Sequence, residues 1–456
     1  MTLEIELREY QTLVVDGITP TDADMALAAK LDTDFERKLR LRWLREDRLE
    51  ITSTSWVGVV HLEAARIVVR PKFAGTELRV VRMLEYAGGL DRARAFNARR
   101  SIELSGVDLL ELVASLFAAE TERIMLEGLL QDYRTEEADL PMLRGTLRHR
   151  EQATRRFGQL DRLECRYDEF DTNILDNQLL AVGAAVGARL LRAGPTRLRL
   201  RRLSATLETN VGRGPTTADE YRRRLVYGRR NERYRRAHDL ALLLLDQIGI
   251  DDPWSGSPST SHVFLLNMNT VFEVFVIRLV GEAFAGTSWS VDGQRRTKSV
   301  VVDRDSRKTY ASVIPDIVLR SGAAIVPLDC KYKLYGEGKK ISSGDIYQSF
   351  LYAFSLGVRP GSLPAAGIIY PARPPLGGRM LSIGRDGGDD AAVIAGLELD
   401  LVSAVDALDD GDAKAELLKT VRSLIGGLLP SVEAADPVEV QASVSVSSDS
   451  SVTSAT

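Results

Sequence analysis

The chain has 456 residues, of which 44% are hydrophobic and 27% charged, and its formal net charge is −4 at pH 7. This length predicts two or three domains, and the net charge alone gives no indication of nucleic-acid binding. The two cysteines, Cys165 and Cys330, exclude a disulfide framework and a cysteine-rich zinc site. Since the N-terminus lacks a signal-peptide pattern and no apolar run is long enough to cross a bilayer, a cytoplasmic location is expected.

Residues 1–75 are predicted to form a small, β-rich N-terminal domain. Residues 3–15 alternate enough to indicate a strand, and residues 21–46 favour a helix of mixed charge. Residues 49–73 contain short alternating runs separated by turn residues, a pattern typical of hairpins.

Residues 76–255 are predicted to be a helical middle region. Apolar residues recur at helical spacing in the segments 78–86, 107–133, 175–191 and 234–248. Ordinary core packing is the expected role of these leucine-rich stripes.

Arginine is concentrated near the end of this region. Residues 189–236 hold 15 arginines and four acidic residues, a local excess of 11 positive charges. Such a cluster can neutralise phosphates without reading base sequence, so it predicts a DNA contact that includes Arg222, Arg223 and Arg224. The alternative is a solvated helical face paired with acidic neighbours.

Residues 256–430 are predicted to form an α/β domain with the element order α-β-β-β-α-β. The predicted elements are a helix at 264–284, strands at 298–303, 310–319 and 323–332, a helix at 344–356 and a strand at 366–370. Residues 431–456 contain eight serines, four acidic residues and neither lysine nor arginine, which predicts a disordered tail.

Two neighbouring strands of this domain carry charged residues, with Pro315-Asp316 on one and Asp329-Cys330-Lys331 on the next. Asp316 and Asp329 on antiparallel strands can share a hard cation such as Mg²⁺, with Mn²⁺ as a substitute and the Cys330 backbone carbonyl as a further ligand. Alternate strand residues share a face, so Lys331 would lie beside the reacting water and the scissile phosphate. This is the pattern of PD-(D/E)XK nucleases. The other interpretation, a surface ion pair between Asp329 and Lys331, fits poorly with the apolar strand that precedes them.

Two further elements of the domain offer side chains to such a site. Gln348 and Tyr352 are four residues apart, hence on one helical face, and are predicted to hold the DNA backbone. Glu273 in the first helix is a candidate further metal ligand or water-holder, or else a lone carboxylate on the helix surface.

The sequence also carries a series of motifs in a fixed order. They are Trp56-Val-Gly-Val-Val-His-Leu62, Arg70-Pro-Lys-Phe73, Gly128-Leu-Leu-Gln-Asp-Tyr133, Leu143-Arg-Gly-Thr-Leu147, Cys165-Arg-Tyr-Asp-Glu-Phe-Asp171 with Asn177, Phe272-Glu-Val-Phe275, Pro315-Asp316, Asp329-Cys-Lys-Tyr-Lys333 and Asp345-Ile-Tyr-Gln348. With them the chain resembles the McrC subunits of McrBC-type modification-dependent restriction systems, up to about residue 400. It departs from the family at Asn177-Gln178, where Asn-Arg is expected.

The resemblance implies an endonuclease subunit that cuts double-stranded, methylated DNA together with an McrB-like AAA+ GTPase. The chain itself is expected to bind no nucleotide, and it contains no Gly-x-x-x-x-Gly-Lys-Ser/Thr loop. The resemblance assigns the N-terminal part to engaging and stimulating the partner. We predict that the hairpins carrying Trp56, Arg70 and Lys72 form an exposed apolar ribbon for this purpose. In the alternative, Trp56 packs in the core of its own domain.

The expected fold class is therefore multidomain α+β, with a β-rich N-terminal domain, a helical middle and a C-terminal PD-(D/E)XK restriction-endonuclease-like domain. Two other functions stay open at this point. One is a free-standing repair or recombination nuclease of the same fold, and the other is a non-catalytic activator of an AAA+ motor. The presence of Asp316, Asp329 and Lys331 together favours a nuclease over an activator.

Overall fold

The computed structural model describes most of the chain as a series of five sheets and the helices packed on them. The described residues are 3–32, 37–45, 47–88, 108–159, 161–246, 262–293, 297–333, 335, 340–384 and 388–430. The predicted tail at 431–456 and the predicted boundary at 255 lie outside them. Within these ranges no helix is long and apolar enough to cross a membrane.

The described residues of the N-terminal unit form one helix and six strands, more strands than the sequence predicts. They are β1 Leu3–Arg8, β2 Thr12–Asp16, α1 Asp22–Leu31, β3 Leu39–Arg45, β4 Arg48–Ser53, β5 Trp56–His61 and β6 Ala65–Arg70. The single strand predicted at 3–15 is two strands, because Tyr10 adopts a left-handed conformation with φ of 58° and turns the chain. The helix predicted at 21–46 ends at Leu31. Beyond it, Leu39 and Leu41 alternate with arginines and form β3.

One strand joins this unit to a distant part of the chain. β10 (His262–Asn267) pairs antiparallel with β5, and the four-stranded sheet has the order β1-β6-β5-β10. At the contact Gly58 has φ of 139°, and a Cβ there would lie 2.1 Å from the Phe264 carbonyl oxygen, so only glycine fits. The helix predicted at 264–284 is therefore wrong over its first four residues. The sheet also crosses the domain boundaries expected at 75 and 255.

The middle region is helical, as predicted, with one small sheet inserted. Its helices are α2 Glu77–Ala87, α3 Leu109–Glu127, α4 His149–Arg155, α5 Leu175–Leu190, α6 Pro195–Asn210, α7 Ala218–Arg224 and α8 Arg235–Leu245, with a 3₁₀ turn at Glu232–Tyr234. The helix predicted at 107–133 ends at Glu127. The chain then forms β7 Asp132–Leu140, β8 Thr146–Leu147 and β9 Leu163–Asp171, paired in the order β7-β9-β8.

The C-terminal part contains helix α9 (Met268–Phe284) and a six-stranded mixed sheet. The remaining elements are β11 Ser290–Gly293, β12 Thr297–Val302, β13 Thr309–Val313, β14 Ile317–Ser321, β15 Ala324–Cys330, α10 Ser343–Leu356, β16 Ala365–Ala372, β17 Arg379–Gly384, β18 Asp390–Asp400, α11 Leu401–Asp406 and α12 Gly411–Gly426, with a 3₁₀ turn at Ala407–Asp409. The sheet order is β11-β14-β15-β16-β18-β17, and β12 pairs with β13 separately.

The strand predicted at 310–319 is interrupted just where the acidic motif stands. β13 ends at Val313 and β14 begins at Ile317, so Pro315 and Asp316 lie in the break. Proline lacks the N–H that a ladder requires, which accounts for the interruption. One large hydrophobic cluster runs from the middle helices through α9 into β14 and β15, so the helical region and this sheet share a core.

Candidate active site

The two predicted metal-binding carboxylates lie opposite one another at one end of the paired strands β14 and β15. Ile317 pairs with Leu328, so Asp316 and Asp329 occupy the next register position. Directly opposite residues of an antiparallel pair share a face. The Cys330 backbone N–H donates a hydrogen bond to Asp316 Oδ2 at 2.6 Å, which holds Asp316 against the end of β15. The structure thus brings these residues together as predicted.

Asp329 is buried, with 1% of its surface exposed. Lys331 Nζ lies 2.8 Å from Asp329 Oδ2. The ammonium of Lys331 is thus the ion-pair partner of that oxygen. The Lys331 backbone N–H donates to the Ile369 carbonyl at 2.9 Å, so Lys331 is held at the edge of β16. An ordinary surface ion pair would be exposed, which excludes that interpretation.

The electrostatics of the carboxylate pair suit a cation. Burial, the charge of Asp329 and the charge of Glu273 raise the pKa of Asp316 to about 7, against the opposing hydrogen bond from Cys330. Burial also raises the pKa of Asp329, although Lys331 lowers it. Like charges brought close together in a buried place favour the protonated form. A divalent cation between them would remove that repulsion.

Glu273 reaches this neighbourhood from α9. It is half-buried, and its charge raises the pKa of both Asp316 and Cys330. Yet no three His, Cys, Asp or Glu side chains among the described residues are grouped closely enough to hold an ion together. Mg²⁺ is usually bound by one or two carboxylates, and water molecules complete its coordination shell. Glu273 therefore stays a candidate ligand or water-holder beside the two carboxylates.

Helix α10 lies against the site but presents its residues differently from the prediction. Tyr352 is 4% exposed, and its hydroxyl donates to the Ile314 carbonyl at 3.1 Å. Gln348 Nε2 donates to the same hydroxyl at 2.7 Å. Tyr352 is thus too buried to grip DNA, which corrects the sequence prediction. It instead braces the break that carries Asp316, while the half-buried Gln348 stays near the surface.

A neighbouring cluster around Asp345 was given no role by the sequence reasoning. Asp345 accepts hydrogen bonds from Lys333 Nζ at 3.0 and 3.1 Å and from the Tyr335 and Ser342 hydroxyls. Ser342 also caps α10 by accepting from the Asp345 N–H. The cluster ties the segment after Lys331 to the start of α10. The Ser-x-x-Asp spacing at 342–345 is a capping pattern and could have revealed part of it.

The predicted partner-binding ribbon is not exposed. Val57, Val59 and Ile67 have no exposed surface, and Trp56 is half-buried against the core of the N-terminal unit. Arg70 forms ion pairs with Glu6 and Glu77, at 2.6 and 2.7 Å. Of the three residues predicted to contact the partner, Trp56, Arg70 and Lys72, only Lys72 is exposed. The prediction of an exposed apolar ribbon is therefore wrong, because both strands are interior strands of a sheet and are covered on their faces.

About half of the 15 arginines in residues 189–236 form ion pairs with acidic residues. Arg236 is buried between Glu85 and Glu120, at 2.5 Å from each. Other pairs, several of them with acids outside residues 189–236, are Arg199–Glu122, Arg222–Asp219, Arg222–Asp246, Arg224–Glu220, Arg230–Asp132, Arg233–Glu127 and Arg235–Glu232. These partners offset part of the local charge excess. This pairing favours the solvated, ion-paired alternative over a continuous phosphate track.

Comparison with known proteins gives the family. A family model for McrBC 5-methylcytosine restriction system components matches residues 51–371. No curated protein matches the chain in sequence. A chain of the half-complex from a tetradecameric assembly of Thermococcus gammatolerans McrB AAA+ hexamers with bound McrC has a TM-score of 0.60 and 18% identity, covering 92% of this chain and 100% of that chain. A chain of the Thermococcus gammatolerans McrBC complex has a TM-score of 0.45 and 20% identity, covering 62% and 88%. Because the family model spans well over half of its length, the chain belongs to the McrBC family of 5-methylcytosine restriction system components.

Proposed function

We propose that this chain is the McrC-type endonuclease subunit of a modification-dependent restriction system, which hydrolyses phosphodiester bonds of methylated DNA with Mg²⁺. The observation that carries the proposal is that Asp316, just before β14, lies beside Asp329 at the end of β15, with Lys331 next to Asp329. In a family of restriction components, a buried carboxylate pair with a neighbouring lysine is suited to phosphodiester hydrolysis.

Each residue of the site has a proposed part. Asp316 and Asp329 would hold Mg²⁺, or Mn²⁺ in its place, with the Cys330 carbonyl as a further oxygen ligand. When bound, the ion supplies positive charge to the phosphate oxygens and lowers the pKa of water. Lys331 orients the attacking water and neutralises charge that develops on the phosphate. Glu273 positions water from the side of α9, and Gln348 contacts the DNA backbone next to the site.

Metal binding should be coupled to proton release. Since the pKa of Asp316 is raised to about 7, a cation must displace a proton below neutrality. We expect the affinity for Mg²⁺ to rise by up to about tenfold per pH unit between about pH 6 and pH 7 and then to level off. Calorimetric titration in two buffers of different ionisation enthalpy measures the protons released. An affinity that does not change with pH, with no proton release, would contradict the proposed ligand.

For the partner, we propose an McrB-like AAA+ GTPase, as in the Thermococcus gammatolerans assembly of McrB hexamers with bound McrC. The surface that best suits a protein contact is the β-arm, residues 131–171, which contains β7, β8, α4 and β9. Tyr133 is 72% exposed, Phe157 89% and Phe170 52%. Among the described residues, the hydrophobic clusters include none from the arm. Exposed aromatic side chains on a sheet outside the core are typical of an interaction surface.

The β-arm can be tested by polar substitution. Changing Tyr133, Phe157 and Phe170 together to serine should lower the chain's stimulation of GTP turnover by the partner by about tenfold or more. Folding should be unaffected, because the three side chains are exposed. Met25→Ser with Met380→Ser is a matched control, since these methionines are 52% and 60% exposed on other elements. If the triple variant stimulates GTP turnover by the partner as fully as the wild type, the contact surface lies outside the β-arm.

We also propose that Arg222, Arg223 and Arg224 contact DNA, although two of them form ion pairs within the chain. Arg222 and Arg224 already pair with acids of the chain, so they would have to exchange those partners for phosphates. Surface pairs of this kind contribute little to stability, and the exchange would cost correspondingly little.

The proposed function is tested by cleavage of plasmid DNA, methylated or unmethylated, with and without the partner, GTP and Mg²⁺. We expect cutting only of methylated DNA and only when all components are present. Cutting without the partner would favour a free-standing nuclease. Stimulation of GTP turnover with no cutting under any condition would favour a non-catalytic activator.

A further inference from the structure

One contact joins the N-terminal unit to the residue that follows Lys331. The Tyr332 hydroxyl donates a hydrogen bond to Glu9 Oε2 at 3.1 Å, across 323 positions of the chain. The same carboxylate oxygen accepts from the Lys72 backbone N–H at 2.6 Å. Glu9 and Tyr332 are each 1% exposed. The carboxylate of Glu9 thus links the end of β1, the segment after β6 and the end of β15.

Tyr332 also contacts two aromatic rings, one from the N-terminal unit and one from α9. Its ring lies edge-on to Phe73 of the N-terminal unit, with 4.9 Å between centroids. It lies 5.7 Å from Phe272 of α9, the residue that precedes Glu273. Tyr332 therefore stands between the N-terminal unit and the helix that flanks the candidate active site.

Burying the Glu9 carboxylate costs free energy, and one of its two oxygens receives no hydrogen bond from the described residues. Glu9 Oε1 is buried and accepts no hydrogen bond from the described residues. Burying a charged or unsatisfied polar group destabilises a protein unless something else requires it. Such violations of the usual rules concentrate at sites that serve function.

We infer that Glu9 is a positioning residue for the proposed nuclease, which through Tyr332 fixes Lys331 beside Asp329. Tyr332 directly follows Lys331, so a contact that fixes the Tyr332 side chain also restrains the backbone of Lys331. Lys331 N–H donates to the Ile369 carbonyl, and Lys333 N–H donates to the Lys331 carbonyl at 2.8 Å, so Tyr332 lies in a tight turn between two fixed residues. A rotation of Tyr332 would therefore carry the Lys331 ammonium away from the site. The inference rests on the proposed function and adds a contribution from the N-terminal unit to it.

The test uses the full chain with its AAA+ partner and methylated plasmid DNA. Tyr332→Phe removes the hydrogen bond and keeps the ring, and it should lower kcat by about tenfold while KM for DNA stays unchanged. Glu9→Ala should do the same. Glu9→Gln is the matched conservative variant, because its amide oxygen can still accept from Tyr332 and Lys72, and it should restore most of the rate. Wild-type kcat for Tyr332→Phe and Glu9→Ala would overturn the inference.

Two further measurements separate positioning from a merely structural role. In a Lys331→Met background, Tyr332→Phe should cause no additional loss, because its effect passes through Lys331. Amide hydrogen exchange, which requires no cutting, should become faster at residues 331–333 in Tyr332→Phe but stay unchanged in β18. If the rate losses of Lys331→Met and Tyr332→Phe multiply in the double variant, the inference is overturned while the proposed function stands. Unchanged amide hydrogen exchange at residues 331–333 in Tyr332→Phe would have the same consequence. A wild-type complex that cuts no DNA would overturn the proposed function and this inference with it.

Discussion

Replacing Asp329 with asparagine is expected to lower the rate of DNA cleavage by about 10³-fold or more. Asparagine keeps the size of the side chain but removes the negative charge that would hold Mg²⁺, and a neutral amide is a weak ligand for this ion. Asp329 is buried beside Asp316, and its Oδ2 lies 2.8 Å from Lys331 Nζ. The measurement is the single-turnover rate on methylated plasmid DNA with the partner, GTP and saturating Mg²⁺.

A matched change elsewhere in the sheet controls for general effects. Asp292→Asn removes a carboxylate from β11 that pairs with Arg320 at 3.4 Å and is 39% exposed. We expect that variant to cut at close to the wild-type rate. If Asp329→Asn also cuts at that rate, Asp329 is not part of the site.

Asp316→Asn should lose cleavage to the same degree while the metal-free protein gains stability. The pKa of Asp316 is raised in the fold, so ionisation of this group opposes folding as the pH rises from about 4 to about 7. A neutral asparagine removes that opposition. Thermal unfolding near pH 8 therefore distinguishes lost chemistry from lost folding, because a variant that is inactive through misfolding would melt earlier.

Lys331→Arg is expected to reduce cleavage by about a hundredfold, although the charge is kept. The Lys331 ammonium lies in a confined position, 2.8 Å from Asp329 Oδ2 and 20% exposed. A planar, longer guanidinium spreads its charge over three nitrogens and cannot replace a compact ammonium there. The pre-steady-state rate of the first strand cut measures the effect on the chemical step.

The chain offers a closely matched control two residues away. Lys333→Arg makes the same chemical change at a lysine that is 51% exposed and pairs with Asp345 at 3.0 Å. Arginine can keep that pair, so cleavage should stay within about threefold of wild type. Equal losses at the two positions, or full activity of Lys331→Arg, would remove Lys331 from the mechanism.

The candidate site was predictable because its chemistry lies in a short stretch of sequence. Residues 316–331 contain both carboxylates and the lysine, and strand alternation with one hairpin is enough to bring them together. Pro315 was a local sign of the break that separates β13 from β14, because proline cannot donate to a strand ladder, but the strand was predicted to continue through it. The local pattern could not show that the Tyr352 hydroxyl donates a hydrogen bond to the Ile314 carbonyl, because that contact depends on how α10 packs.

Long-range contacts explain the other differences. Residues 263–266 are a short apolar run just before the helix, and such a run does not distinguish a buried strand from a helical segment, so β10 was missed. Its partner β5 is about 200 residues away in sequence, and that pairing buries the hairpin expected to be exposed. The arginines of residues 189–236 likewise find acids such as Glu85, Glu120 and Glu122 that a local charge count cannot include.

The most direct test of a nuclease site in this chain measures cleavage and GTP turnover in the same reaction. The complexes are rebuilt from the partner and either the wild-type chain or the double variant Asp316→Asn, Asp329→Asn. We predict that both complexes hydrolyse GTP at the same stimulated rate and that only the wild-type complex linearises methylated plasmid DNA. Cleavage by the double-variant complex at the wild-type rate would contradict the assignment of the nuclease site to this chain.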